Sequence, residues 1–237
     1  MTQPEPHTLT SASGEYTRTL SLVPGPQDHA HPLCVFLDAE LYLGSMNALP
    51  VLTELMASGV IPAMTCVFVS HVNAEARHAD FLCNDRYTRF IAEDVVSWAR
   101  ARNENIQAQG NLICGLSLSG LAAAYLALKY PDVFSYALCQ SASFWWLKDK
   151  ELNWPKTTAK FWLSVGDKET ATGLTHAPSG LRQEISQIEG VANAVQLLQS
   201  LGGTVKHSVH PGVHSTTPWR AELAPAFTWL IGNAATK

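Results

Sequence analysis

Short runs of consecutive apolar residues alternate along this chain with longer stretches whose apolar positions recur every three or four residues. That is the pattern of buried strands separated by amphipathic helices. Tyr16–Val23 alternates like a half-exposed strand and is ended by Pro24-Gly25-Pro26. Pro32–Leu37 and Ala63–Ser70 are apolar runs that read as strands, with a short helix, Leu49–Ser58, between them and Gly59 at its end. Asp85–Arg102 places Phe90, Ile91, Val95, Val96 and Trp98 on one helical face. The run ending Ile113-Cys114-Gly115-Leu116 turns at Ser117 and passes into helix-forming Leu121–Leu128. Val133–Cys139, Phe161–Val165 and Thr204–Val209 continue the series of strands. A helix is expected from Ser179 to Leu201, with Leu181, Ile185, Ile188, Val191, Ala192, Val195 and Leu198 facing inward, and a last one from Pro218 to Leu230. Strands this apolar, separated by helices, predict a mostly parallel sheet covered on both faces, a three-layer α/β sandwich.

Composition narrows the picture. At 237 residues, 46% of them hydrophobic, the chain is expected to form a single domain over residues 1–237 around one substantial core. Its polar, proline-broken start makes residues 1–14 a flexible lead-in. No run of 18 or more apolar residues suggests a membrane span, and no basic start followed by an apolar run suggests a signal peptide, so a cytoplasmic location is expected. Sixteen basic residues against twenty acidic ones give a net charge of -4 with no basic stripe, which argues against nucleic acid as a partner. Five scattered cysteines, Cys34, Cys66, Cys83, Cys114 and Cys139, form no C-x-x-C pair, and those in strand-like runs read as small buried hydrophobes.

The chemistry starts at Ser117. Strand, tight turn at Gly115-Leu116-Ser117-Leu118-Ser119-Gly120, then helix is the arrangement that exposes a nucleophilic serine in the α/β-hydrolase fold. Here the second glycine arrives one residue late, as Gly120. A serine hydroxyl needs a base beside it and an acid to orient that base. Both should follow later strands, because functional loops gather at the carboxyl ends of parallel strands. Phe161–Val165 runs into Gly166-Asp167-Lys168-Glu169, and Thr204–Val209 runs into His210-Pro211-Gly212-Val213-His214. Ser117, then Asp167 or Glu169, then His214 is the required order, and spacing alone leaves the acid open. Ser119 lacks a glycine two places before it and lies in the first helical turn. His176 sits in a polar stretch with no strand end to carry it toward the nucleophile. No H-E-x-x-H or comparable ligand spacing calls for a metal, and the chemistry needs no cofactor.

The residues around these positions resemble the esterase D and enterochelin (ferric enterobactin) esterase group of α/β hydrolases, most closely the enterochelin esterase catalytic domain, from Leu33 to Ile231. The matches are Leu37-Asp38-Ala39, Arg77-His78-Ala79-Asp80-Phe81-Leu82-Cys83-Asn84, Cys139-Gln140-Ser141-Ala142-Ser143-Phe144-Trp145-Trp146, Gly166-Asp167-Lys168-Glu169, and His214 with Trp219 five residues later. The resemblance implies Glu169 as the acid, with Asp167 a turn residue. It implies an oxyanion hole built from the backbone amides of Leu118 and Glu40, the Glu40 side chain turned aside and Asp38 holding the loop. It also places Arg77 at the substrate pocket, where its fork would hold an anionic or catechol-like oxygen, the alternative being a surface ion pair with Asp80 or Glu75. Trp145, Trp146 and Trp219 would wall that pocket. Ala39 and Ser119 stand where the family has glycine.

The function expected is a serine hydrolase that cleaves carboxylic esters through an acyl-enzyme, siderophore esters of the enterochelin type among them. The alternatives are an acyltransferase using the same Ser-His-Glu site, or a catalytically inactive binding protein on the same fold. A small-molecule ester is the expected partner, and the chain is read as a monomer or homodimer.

Overall fold

A computed structural model describes residues 4–150 and 153–233. Its centre is an eight-stranded sheet in the order β1-β2-β4-β3-β5-β6-β7-β10. These strands are β1 (Glu5–Thr10), β2 (Thr17–Val23), β3 (Leu33–Leu37), β4 (Thr65–Val69), β5 (Asn111–Leu116), β6 (Phe134–Gln140), β7 (Lys160–Gly166) and β10 (Thr204–His210). From β4 to β10 every pairing is parallel, while β1–β2 and β2–β4 are antiparallel, so the sheet is mixed with a parallel majority. The central strands β3, β4 and β5 are buried along their whole length, which accounts for their unbroken apolar sequences.

Successive residues of each strand face opposite layers. Leu33, Val35 and Leu37 pack with α2 (Ala74–Phe81), the helical stretch of residues 85–100, α5 (Leu118–Lys129) and α6 (Gln187–Ser200). The 85–100 stretch runs through α3 (Asp85–Arg89), a π-helical segment (Phe90–Val95) and α4 (Val96–Arg100). Cys34 and Phe36 instead meet α1 (Ala48–Ala57) and α7 (Thr216–Ile231) on the other face. Helices thus cover both sides, giving the three-layer α/β-hydrolase sandwich expected from the apolar pattern. No helix among the described residues is long and apolar enough to cross a membrane.

Two elements differ from the sequence expectation. The expected lead-in over residues 1–14 is not loose where it is described: Glu5–Thr10 forms β1, antiparallel to β2, while Met1–Gln3 lie outside the described residues. As an edge strand, β1 tolerates Pro6 and a mostly polar surface. It is anchored by half-buried Leu9 and by His7, which meets Trp98 edge-on at 5.3 Å. The helix expected from Ser179 begins only at Gln187, where Ser186 caps it by accepting the Glu189 amide at 3.1 Å. Before it, β8 (Leu174–His176) and β9 (Leu181–Gln183) form a small antiparallel hairpin. Gly173 and Gly180, at φ 69° and 71°, give the chain turns that a helix cannot accommodate.

Candidate active site

The strand-to-helix turn at Ser117 is forced by close packing. A Cβ on Gly115 would lie 2.1 Å from the Ser119 carbonyl oxygen, and one on Gly120 would lie 2.7 Å from the Ala142 Cβ. Glycine at these two positions lets α5 start directly above β5 and pack against the loop after β6. Ser117 itself takes φ 53° and ψ -123°, a conformation a non-glycine residue adopts only under constraint. Its amide donates to the Gln140 carbonyl at 2.9 Å, and its carbonyl accepts from the Ser143 amide at 2.9 Å. Those bonds hold the backbone, and the side chain faces a cavity of about 560 Å³. Its hydroxyl has no hydrogen-bond partner among the described residues.

His214 borders the same cavity from the loop between β10 and α7. Its Nδ1 lies 2.6 Å from Glu169 Oε2, and its side chain is 39% exposed. Glu169 is buried, and its other oxygen accepts from Ser141 Oγ at 2.6 Å and from the Gly166 amide at 2.7 Å. Burial alone would raise the carboxyl pKa. The hydrogen bond and charge of His214, with the bonds from Ser141 and Gly166, outweigh it and hold Glu169 below the ordinary glutamate value. Asp167 points elsewhere and closes the turn by accepting the Gly212 amide at 2.8 Å.

The resemblance points to the backbone amides of Leu118 and Glu40 as oxyanion donors, and of the two residues Leu118 lines the cavity beside Ser117. Leu118 opens α5, so its N–H has no carbonyl of an earlier turn to bond. The Glu40 amide, just before a π-helical turn (Leu41–Ser45), likewise makes no backbone hydrogen bond among the described residues. The Glu40 side chain turns away to accept from Ser70 Oγ and, at 3.3 Å, from the His71 amide.

Arg77 borders the cavity, but its ion pair is neither Asp80 nor Glu75. Its Nε and Nη2 grip the fully buried Asp38 at 2.8 and 2.7 Å, while Asp80 pairs with Arg18. Of the three tryptophans, Trp145 alone lines the cavity, stacked on His176 with ring centroids 5.0 Å apart. Trp146 lies on a separate surface hollow beneath Lys150, because neighbouring residues of a short helical turn (Phe144–Leu147) point in different directions. Trp219 sits behind His214, edge-on at 4.8 Å, with its indole N–H donating to Ser141 Oγ at 2.9 Å. It therefore backs the His-Glu pair, and the wall expected of three tryptophans reduces to one.

The cavity also holds residues that sequence reasoning missed. The β8–β9 hairpin forms its far wall, bringing His176 and Gln183 to the cavity, with His176 Nε2 3.0 Å from Gln183 Oε1. His78 Nδ1 lies 2.6 Å from Ser179 Oγ, joining α2 to the hairpin turn. Ser141, at φ 40°, receives the Trp219 N–H and donates to Glu169. The Ser186-x-x-Glu189 capping pattern could have moved the helix start past residue 180 and released the hairpin. Nothing in the local sequence marks Ser141 as a partner of Glu169.

The family model described as "Putative esterase" matches residues 11–230 of this chain. The iron(III) enterobactin esterase of Dickeya dadantii (strain 3937) is 26% identical over 211 residues, 84% of this chain and 48% of that protein. The iron(III) enterobactin esterase of Escherichia coli (strain K12) is 30% identical over 116 residues, 48% of this chain and 29% of that protein. The chain thus spans about half the length, or less, of these curated relatives. The crystal structure of the enterobactin esterase of Shigella flexneri superimposes with a TM-score of 0.80 at 19% identity, covering 97% of this chain and 59% of that one.

Proposed function

The chain belongs to the esterase family of α/β hydrolases, and from that premise we propose that it hydrolyses carboxylic esters through an acyl-enzyme formed on Ser117. His214 takes the hydroxyl proton as Ser117 attacks the ester carbonyl, and Glu169 orients the ring and balances the imidazolium. The amides of Leu118 and Glu40 hold the tetrahedral oxyanion. His214 then returns its proton to the leaving alcohol, and a water activated by the same ring releases the acid. The observation that carries this reading is the pairing of buried Glu169 with His214, both on the same cavity as the strained Ser117. Ser117 and His214 are not hydrogen-bonded to each other here, and catalytic contacts of this kind tighten when substrate binds.

For the substrate we propose an ester that carries an anionic or catechol-like oxygen, siderophore esters of the enterobactin type included. Arg77 keeps one guanidinium nitrogen, Nη1, without a partner among the described residues at the cavity, and Lys168 borders the same space. Trp145 offers a flat apolar face beside them. The relatives' names support the siderophore class. Hydrolysis rates across short neutral acyl esters, anionic esters, feruloyl esters and ferric catecholate siderophores, measured for the wild type and Ser117→Ala, test both parts. Activity lost in Ser117→Ala and highest on the anionic or catecholate members is expected. Activity retained in Ser117→Ala overturns the nucleophile, and equal rates across the panel overturn the substrate class.

A further inference from the structure

One buried cluster beside the site has no part in the steps above. Asp38 follows β3 at φ 62° and is wholly buried, yet its carboxylate meets groups from three other segments. Ser119 Oγ donates to Oδ2 at 2.7 Å, Arg77 grips both oxygens, and His71 Nδ1 lies 2.9 Å from Oδ1. The backbone reinforces the knot, because the Asp38 carbonyl accepts the Leu41 and Tyr42 amides at 2.9 and 3.2 Å. Asp38 is two residues from the Glu40 amide, and Ser119 is one residue from the Leu118 amide. The carboxylate therefore ties the loop carrying one proposed oxyanion donor to the elbow carrying the other. A glycine at 119 could not make that tie. Ser119 is held in place for it, since its oxygen also accepts the Leu116 amide at 2.9 Å.

His71 joins the same knot from the end of β4. Its Nδ1 is 3.0 Å from Glu40 Oε2 as well as 2.9 Å from Asp38, shared between the two carboxylates and aimed squarely at neither. The groups facing it are Asp38 and Glu40 from the segment after β3 and Arg77 from α2. Two carboxylates and one guanidinium leave an unbalanced negative charge that a protonated His71 neutralises.

We infer that Ser119 and His71 are positioning residues which, through Asp38, hold the Leu118 and Glu40 amides at one separation, with His71 acting in its protonated form. The Asp38 carboxylate beside Nδ1 raises the His71 pKa above the usual histidine value, against burial and Arg77, with the charge of Glu40 adding to the rise. The brace is therefore complete at low pH and is lost as pH rises through that raised value. Because an oxyanion hole acts on charge that develops in the transition state, loosening it lowers kcat and leaves KM almost unchanged.

This inference rests on the proposed role of Ser117, and the test separates the two. The kcat and KM for an uncharged ester are measured from acid to alkaline pH for wild type, Ser117→Ala, Ser119→Ala and His71→Gln, with circular dichroism and thermal melting to establish folding. Wild-type kcat should fall on the alkaline side with KM steady. Ser119→Ala and His71→Gln should each lose kcat at neutral pH, roughly 10-fold to 100-fold as for a small misplacement of reacting groups, and His71→Gln should lack the alkaline fall. Folded variants with wild-type kcat and an unchanged alkaline limb would overturn the brace while Ser117→Ala is inactive. Hydrolysis surviving in Ser117→Ala would overturn the nucleophile instead. The wild-type profile stands as a test by itself: an alkaline fall carried by KM and not by kcat contradicts the brace.

Discussion

His214 Nδ1 and Glu169 Oε2 lie 2.6 Å apart, and the other oxygen of that carboxylate is already committed to Ser141 and the Gly166 amide. Glu169 therefore has one orientation, and it presents one oxygen to the ring. A glutamine there would keep the volume but lose the charge that favours an imidazolium. Glu169→Gln should lower kcat/KM by about 10³-fold or more, as neutralising a triad acid does. Asp167→Asn, which touches only the Gly212 turn, should stay within a few-fold. Steady-state kinetics of the two variants decide between the carboxylates, and the opposite ranking would assign the acid to Asp167.

The same pair shapes stability against pH. Glu169 has a folded pKa below its unfolded value, so its contribution is fully present above the ordinary glutamate range and is lost as pH falls through the depressed folded value. Thermal melts of the wild type should show a fall in Tm on the acid side that is shallower in Glu169→Gln. Parallel acid limbs would mean that the pair adds no pH-dependent stability.

The two adjacent tryptophans should separate cleanly. Trp145→Ala removes the cavity wall stacked on His176 and a buried ring, so KM should rise several-fold and stability should fall by about 3 kcal/mol. Trp146→Ala removes a half-buried ring that packs on the core and lines the hollow near Lys150, away from the cavity at Ser117, so kcat/KM should stay within about two-fold. Kinetics and melting curves of both variants check the assignment, and an equal rise in KM would restore Trp146 to the pocket.

Gly115 tests the geometry of the elbow. An alanine there sets its Cβ 2.1 Å from a backbone carbonyl that cannot swing away, so Gly115→Ala should cost 3 kcal/mol or more, on the order of severe overpacking. Chemical denaturation measures this directly. A variant as stable as wild type would show that α5 can shift away from β5.

The fold was readable because its strands are buried on both faces and announce themselves as apolar runs such as Leu33–Leu37. The errors fall where that signal fails. Edge strand β1 has little to bury, and the β8–β9 hairpin carries Leu181 at a position that also fits a helical face. The chain order of Ser117, a carboxylate and His214 was visible because the architecture places each after a strand. Spacing could not choose Glu169 over Asp167, because that choice depends on which side chain bends back toward Ser141 and Gly166. Arg77 was recognisable as belonging to the site, but its partner Asp38 lies 39 residues away in sequence. Contacts of that range leave no local periodicity to read.

The central claim is that Ser117 is the nucleophile. Treating the folded protein with a fluorophosphonate and mapping the adduct by peptide mass spectrometry tests it most directly. One adduct on Ser117 in the wild type, none in Ser117→Ala and continued labelling of Ser117 in Ser119→Ala is the predicted result. An adduct on Ser119, or an unmodified wild-type protein that still hydrolyses esters, would contradict it.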